Sequence, residues 1–164
     1  MTKNILELNE QTLSVIEEIG GHMPGGFFIY QAETPEKLIY ANKAVFKIYG
    51  CSDLEEFRQY SGFTFKGMVH PEDYQKISDS IVQQIDTSAD RMDYAEYRII
   101  RKDGAVRWVD DYGHYAETKT YGLIVDEMLA IRSEIDAWRE KKASEEANAR
   151  YNEMLYYGLT EDDE

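Results

Sequence analysis

Apolar and polar residues follow a helical period at both ends of the chain and strand-like runs in its middle. Residues 1–21 predict a helix that the Gly20-Gly21 pair ends. Residues 128–157 predict a long polar helix with a sparse apolar seam. The apolar face of the N-terminal helix is expected to consist of Ile5, Leu8, Val15, Ile16 and Ile19.

Strand signals open the middle region, residues 22–127. Residues 27–32 are rich in aromatic side chains, residues 37–41 form a second short run, and a proline turn lies between them. This arrangement predicts a hairpin. Asn42 is a good N-cap for a short helix, and Gly50 lies where a glycine would end it.

Two further helices and a second hairpin follow. Ser52-Asp53-Leu54-Glu55 matches a capping box, and His70-Pro71-Glu72-Asp73 is typical of a helix start. The Asp103-Gly104 pair between two strand-like runs predicts a tight hairpin. Residues 121–125 predict a short last strand. Three consecutive strands after a group of helices favour an antiparallel sheet and the α+β class.

Three segments in this order resemble motifs of the PAS family, a sensory α+β fold. They are Tyr40-Ala41-Asn42-Lys43-Ala44 with Ile48-Tyr49-Gly50, then Val69-His70-Pro71-Glu72-Asp73, then the run from Glu96 to Gly104 with Arg107-Trp108-Val109. Each segment alone is a weak signal, whereas the three together at this spacing are typical of the family. The resemblance covers about residues 24–127.

The resemblance implies a PAS-like five-stranded antiparallel sheet with short helices over one face, flanked by N-terminal and C-terminal helices. The implied organisation is a flanking helix at 1–21, a sensor domain at 22–127, and a C-terminal signalling or coiled-coil helix with an acidic tail at 128–164. Val125-Asp126-Glu127-Met128 lacks the threonine with which the family usually ends its last strand, and that strand is expected to be unusually short.

The resemblance also implies a small-molecule cavity between the sheet and the helices. Aromatic side chains and one histidine lie in the elements that would surround it, and ligand pockets combine such apolar walls with a few polar groups. The alternative is that the rings fill the core and leave no cavity. The candidate pocket residues are Phe28, Tyr30, Phe46, Tyr49, Phe57, Phe65, Tyr97, Trp108, Tyr112 and His114.

Dimerisation through the flanking helices is a further implication. The C-terminal apolar positions step by 3, 4 and 3 residues, which is coiled-coil spacing, but the seam is too short to dimerise alone. A helical bundle shared by two chains is therefore expected, with packing of both helices on their own domain as the alternative. The expected dimer and signalling positions are Ile5, Leu8, Val15, Ile19, Met128, Ile131, Ile135 and Trp138.

The charge of the 164-residue chain limits the classes of partner that it can bind. It has 32 acidic and 18 basic residues, a net charge of −14, which repels phosphate backbones and anionic lipids. Nucleic-acid binding is therefore not expected. Membrane insertion is not expected either, since no signal-peptide pattern and no apolar run of about 18 residues is present. A cytoplasmic protein is predicted. The single cysteine, Cys51, excludes an internal disulfide.

No catalytic residue, metal site or phosphate-binding motif is predicted. Asp110 and Asp111 are neighbours on a strand and point to opposite faces, so they cannot act together on one substrate. Cys51 lacks a photosensory flavin motif around it and is interpreted as a packing residue. His70 is interpreted as part of a helix start rather than a haem or metal ligand. Flavin and haem are not supported, and the cofactor is unknown.

The sequence therefore predicts a non-catalytic sensory module of a bacterial two-component or cyclic-di-GMP signalling protein. A ligand or partner would shift the packing of the sheet against the flanking helices of a homodimer. The helices would pass the change to an output domain such as a diguanylate cyclase or histidine kinase. One alternative is a ligand-free protein-interaction and dimerisation module. Another is a small cavity enzyme of cone-shaped α+β fold that uses His114 or Asp111.

Overall fold

The computed structural model describes residues 5–23 and 25–158, and of residues 133–140 it describes the backbone alone. The strands are β1 (Ile5–Leu6), β2 (Gly26–Gln31), β3 (Leu38–Ala41), β4 (Met92–Ile100), β5 (Val106–Thr118) and β6 (Gly122–Ile131). The helices are α1 (Glu10–Gly20), α2 (Lys43–Ile48), α3 (Leu54–Ser61), α4 (Phe65–Met68), α5 (Tyr74–Thr87) and α6 (Arg132–Tyr157). The chain divides into two units, Met1–Ile131 and Arg132–Glu164.

The first unit is built on one sheet with β6 at its centre. The order is β3–β2–β6–β5–β4, and every pair in that series is antiparallel. The β5–β6 pairing extends from Val109 opposite Ile131 to Thr118 opposite Gly122. The α+β class and the antiparallel sheet that the sequence predicts are confirmed.

Successive side chains of each strand point to opposite faces of the sheet, and the two faces carry different helices. The inner face packs against α2 to α5 in the main apolar core, where Phe28, Phe57 and Tyr97 are fully buried. The outer face is covered in part by α1, whose Leu13 and Ile16 pack against a smaller cluster on β2, β5 and β6. No helix in the described ranges is long and apolar enough to cross a membrane.

Asn42 joins the first hairpin to the first helix of the inner face, as its position in the sequence predicts. Its side-chain oxygen accepts hydrogen bonds from the backbone N–H of Phe27 at 3.0 Å and of Val45 at 3.2 Å. One side chain therefore caps α2 and holds its start against β2. Gly50 follows α2 with φ +73°, a left-handed conformation that glycine adopts without strain.

The carboxylate of Asp73 connects the start of α5 to the edge strand β4. It accepts hydrogen bonds from the backbone N–H of Arg98 at 2.9 Å and from the guanidinium group at 2.6 and 3.0 Å. The guanidinium lies 5.9 Å from the ring centroid of Trp108. Because Asp73 is bound to both the backbone and the side chain of one residue, its position fixes where α5 meets the sheet.

The N-terminal segment differs from the helix predicted over residues 1–21. Ile5–Leu6 forms the short strand β1. It pairs in parallel with the part of β5 that extends beyond β4, because the backbone groups of that edge are available for hydrogen bonding. Leu8 is buried ahead of α1, whereas Val15 and Ile19 are both 58% exposed. The predicted single apolar face is therefore wrong, and residues 1–4 lie outside the described residues.

The C-terminal segment differs as well, because β6 runs to Ile131. The long partner β5 pairs with it throughout, so strand hydrogen bonding overrides the helical spacing of Met128 and Ile131. The expectation of a short last strand is wrong, and the boundary expected after residue 127 falls inside β6. Ile135 and Trp138 belong to the predicted seam but lie outside the described side chains.

We predict that Asp73→Ala lowers the free energy of unfolding by about 1–3 kcal/mol, because it removes charge-assisted hydrogen bonds and leaves a half-buried guanidinium without them. Chemical denaturation measures the change. The matched control is Glu72→Ala, which removes a single contact of 3.2 Å from an exposed carboxylate to the same guanidinium. Equal losses for the two variants would show that Asp73 does not hold α5 to β4.

Candidate ligand site

Most of the predicted pocket residues lie on the inner side of the sheet. The rings of Tyr30 and Phe65 are parallel, with centroids 4.6 Å apart, and Phe65 also meets the edge of Tyr97. These rings form a packed core. The buried members of the predicted set are Phe28, Tyr30, Phe46, Tyr49, Phe57, Phe65 and Tyr97.

Trp108, Tyr112 and His114 lie on the outer face instead, so their predicted place in the cavity is wrong. Trp108 is 50% and Tyr112 is 57% exposed. His114 Nδ1 lies 3.1 Å from the carboxylate of Asp126, also on the outer face. The strand pairing decides this outcome, because Val109 and Asp111 occupy the inward positions of β5 and force their neighbours outward.

A cavity of about 500 Å³ nevertheless lies between α5 and the inner face of the sheet. This volume falls within the range of small-molecule sites. Asp86 lies at the end of α5 and Ala89 just after it. Both residues are exposed and mark the mouth of the cavity. The sheet side of the cavity is formed by Tyr30, Tyr115 and Val125, with Phe65 from α4 and Ile81 from α5 among the other walls.

Three carboxyl groups are buried next to this cavity, on the inner face of β4, β5 and β6. Asp111 and Glu127 are fully buried, and Asp93 is 4% exposed. No donor among the described residues reaches either carboxyl oxygen of Asp93 or Glu127. Asp111 accepts one hydrogen bond, from the hydroxyl of Tyr97 at 2.7 Å. We call these three residues the carboxyl cluster.

Gly113 provides the space in which the carboxyl cluster meets. It pairs with Asp93 on β4 and with Glu127 on β6. A Cβ atom at this position would come within 2.4 Å of a Glu127 oxygen and 2.6 Å of an Asp93 oxygen. Both carboxyl groups therefore turn toward the volume that a side chain of residue 113 would occupy.

Burial raises the pKa of every carboxyl group in the cluster, because an apolar surrounding disfavours the charged form. The pKa of Asp93 rises to about 7, through burial and the nearby charges of Asp111 and Asp126. Burial raises the pKa of Asp111 to about 6. The pKa of Glu127 rises well above its usual range, through burial and then the charge of Asp111. Burial and the charge of Asp111 therefore favour the protonated form of Glu127.

The sequence analysis missed the carboxyl cluster. It placed Asp111 correctly on the face opposite Asp110, but Asp93 and Glu127 are each far from Asp111 in the sequence. Only the register of β4, β5 and β6 brings the three together. The available signal was an acidic residue at an inward position of a strand otherwise lined by apolar inward neighbours.

The other predicted positions have structural roles. Cys51 is buried, and burial raises the pKa of its thiol, consistent with its interpretation as a packing residue. His70 Nδ1 accepts a hydrogen bond from the N–H of Glu72 at 3.1 Å in the turn before α5. Across the described part of the chain, no group of three or more His, Cys, Asp or Glu residues is placed to hold a metal ion.

Comparison with known proteins agrees with the architecture. The family model described as the PAS fold matches residues 38–124. No curated protein sequence matches the chain. The fold is similar to a PAS domain from Colwellia psychrerythraea, with 17% identity, a TM-score of 0.54 and coverage of 71% of this chain and 94% of that one.

Two further solved structures show the same fold. A Rhodobacter sphaeroides LOV protein has 12% identity and a TM-score of 0.60, with coverage of 94% of this chain and 85% of that one. A PAS domain from a two-component sensor histidine kinase has 10% identity and a TM-score of 0.57, with coverage of 75% and 98%. The resemblance drawn from the sequence motifs is thereby confirmed.

We predict that the free energy of unfolding falls as the pH rises from about 5 to about 8. A carboxyl group with a raised folded pKa keeps its proton where the unfolded chain has lost it, so stability decreases through the window between the two pKa values. For Asp93 this window runs from 3.8 to about 7. Denaturant unfolding at a series of pH values measures the slope.

Asp93→Asn removes one of the three titrating groups and should reduce that slope. It should also stabilise the protein near pH 8 by more than about 1.4 kcal/mol, the value of one pKa unit. Asp90→Asn, at an exposed loop position in front of β4, is the matched control and should keep the slope. A stability that is constant over this range in the unsubstituted protein would contradict the raised pKa values.

Proposed function

The chain belongs to the PAS fold family, and from this membership we propose that it is a non-catalytic sensory module that binds a small molecule in the inner cavity. The observation that carries the proposal is the cavity of about 500 Å³ beside three buried carboxyl groups. A core that served stability alone would leave neither the volume nor the unpaired polar groups, since both cost free energy. A ligand in the cavity would satisfy both.

β6 is suited to carry the signal from the cavity. It contributes Val125 to the cavity wall and Glu127 to the carboxyl cluster. Its last residue, Ile131, is followed directly by Arg132, the first residue of α6, with no loop between them. A displacement of β6 that favours one packing of the sheet would therefore act on the start of α6. We propose an output domain beyond α6, such as a histidine kinase or diguanylate cyclase.

Homodimerisation is part of the same proposal, and α1 supports it. Leu13 and Ile16 pack on the sheet, while Val15 and Ile19 on the same helix are both 58% exposed. Such a helix packs one set of apolar side chains on its own domain and exposes a second set to solvent. The exposed set is suited to pack against a second copy of the chain. This interface replaces the bundle predicted from Met128 and Ile131, which lie in β6.

A ligand-free interaction module is the second candidate, favoured by one observation. The part of the outer face formed by β4 and β5 is not covered by α1 and exposes several large side chains. Tyr94 and Tyr112 lie together there, with ring centroids 4.8 Å apart. The exposed apolar and aromatic residues of this face are Met92, Tyr94, Val106, Trp108 and Tyr112.

Native mass spectrometry of the chain, purified without denaturation, tests the sensory function. We predict one bound small molecule per chain. Ser78→Phe places a ring in the cavity and should release that molecule, because Ser78 forms part of the wall. Gln83→Phe adds the same ring at an exposed position of α5 and should leave it bound. A bare mass in the unsubstituted chain would favour the ligand-free module.

The same spectra report the number of chains in the particle. Two are expected for the unsubstituted chain, and one after the double substitution Val15→Glu and Ile19→Glu, because the charges cannot be buried between copies. A monomer at high micromolar concentration without any substitution would refute the dimer.

A further inference from the structure

The carboxyl cluster has no cation among its described neighbours. The side chains that face it are phenols and apolar groups: the hydroxyl of Tyr97 binds Asp111, and the charges of Asp111 and Glu127 act on the buried hydroxyl of Tyr30. The Arg98 guanidinium is bound to Asp73, and the Arg91 guanidinium lies over the ring of Tyr115. Buried carboxyl groups ordinarily lie beside a cation, which this cluster lacks.

His114 and Asp126 complete the set of titratable groups near the cluster. Both belong to the outer face, where they bind each other at 3.1 Å. Their charges act on Asp93 in opposite directions, His114 lowering its pKa and Asp126 raising it. The two effects oppose each other, so this pair does not neutralise the carboxyl cluster from the outer face of the sheet. A positive charge that does so has to lie on the inner face.

The carboxyl cluster lies behind the sheet wall of the cavity, farther along the same strands, and its charges act on Tyr30 in that wall. Tyr115 on β5 and Val125 on β6 are paired and form the cavity wall. The next inward pair toward the cluster is Gly113 and Glu127, about 7 Å farther along the strands. Because glycine has no side chain, the carboxyl groups of Asp93 and Glu127 themselves occupy the space over position 113.

The walls of the cavity suit a short apolar stem with a cationic end. Ile81, Ile85 and Val125 supply apolar surface. The parallel rings of Tyr30 and Phe65 line the cavity as well, and aromatic rings attract cations. Two acidic side chains, Glu36 and Asp86, and one basic side chain, Arg91, also line the cavity. The acidic groups outnumber the basic one, so the lining attracts a positively charged solute from water.

Resting on the proposed sensory function, we infer that the cavity binds a small organic cation, whose primary ammonium or guanidinium group donates hydrogen bonds to Asp93 and Glu127, the two carboxyl groups that converge over Gly113. Once both carboxyl groups are ionised, they offer four acceptor oxygens that no donor among the described residues reaches. A nitrogen cation with several N–H groups matches that set. A bare metal ion does not, since no group of acidic, histidine or cysteine side chains in the described chain has metal-site spacing.

Binding of such a cation releases protons. Burial favours the protonated form of Glu127 in the free protein, and Asp93 is protonated in a fraction of molecules near neutral pH because its pKa is raised to about 7. The arriving positive charge favours the ionised carboxylates, so these protons leave to the solvent. A neutral ligand of the same shape would leave the protonation of the cluster unchanged.

Isothermal titration calorimetry near neutral pH tests the inference, with butylammonium and agmatine as cations and butan-1-ol as the neutral probe of similar shape. We expect both cations to bind at least tenfold more tightly than the alcohol. Repeating the titration in two buffers with different enthalpies of protonation should show proton release for the cations alone.

Variants separate the cluster from general effects of charge. Asp93→Asn and Glu127→Gln should each weaken cation binding at least tenfold, whereas Asp90→Asn at an exposed position should not. Both cluster variants are nearly isosteric and remove a buried titratable group, so they should fold. Gly113→Ala leaves every charge in place, but its Cβ would displace the carboxyl groups of Asp93 and Glu127, and it should weaken binding as well.

The outcomes distinguish this inference from the proposed function. A small molecule found in the native mass spectrum together with equal binding of the alcohol and the cations would overturn the inference and leave the sensory function standing. Unchanged cation binding in both cluster variants would overturn it in the same way. Absence of any bound molecule and of binding by all three probes would overturn both.

Discussion

Side chains of a β-strand alternate strictly between two faces, and in β5 this constraint decides what the rest of the molecule can do. Its partners β4 and β6 fix the register from both sides, so that Val109, Asp111 and Gly113 point inward. The same register sends Trp108, Tyr112 and His114 outward. A slip of one residue would exchange the two sets and bury the charge of Asp110 in place of Asp111.

The inward set carries a free-energy cost that the apolar core has to offset. A buried polar group without a partner costs on the order of 1–3 kcal/mol, and more when it is charged. The fold lowers this cost because burial favours the uncharged, protonated form of Glu127 and because Tyr97 donates a hydrogen bond to Asp111. What remains is a region next to the cavity whose stability depends on pH and on whatever enters the cavity.

Local signals made much of the fold predictable from the sequence. Asn42 as a cap, Gly50 after the first helix and the Asp103-Gly104 hairpin depend on residues near one another in the chain, and the structure confirms each of them. The predictions for the two ends of the domain were wrong, because hydrogen bonding to β5 decides the structure there. It recruits Ile5–Leu6 and extends β6 against the helical spacing of the sequence.

The candidate site was predictable only in part, for the same physical reason. Aromatic residues such as Phe28 and Tyr97 are large and apolar enough that burial follows from their type and their strands. The face of Trp108 depends on parity, and the sequence of β5 has aromatic residues at outward positions and an acid at an inward one. Asp93, Asp111 and Glu127 meet across three strands, and no spacing within one segment marks that meeting.

The protonation state of Glu127 in the free protein tests the central claim most directly. Carbon-13 NMR of labelled glutamate side chains, with the Glu127 carboxyl signal assigned by its loss in Glu127→Gln, follows that group alone through a pH titration. The structure predicts that the signal stays at the protonated position through neutral pH, because burial and the charge of Asp111 raise its pKa. A titration midpoint near the ordinary value of 4.5 would contradict the account, since the carboxyl cluster would then be solvated or already paired with a cation.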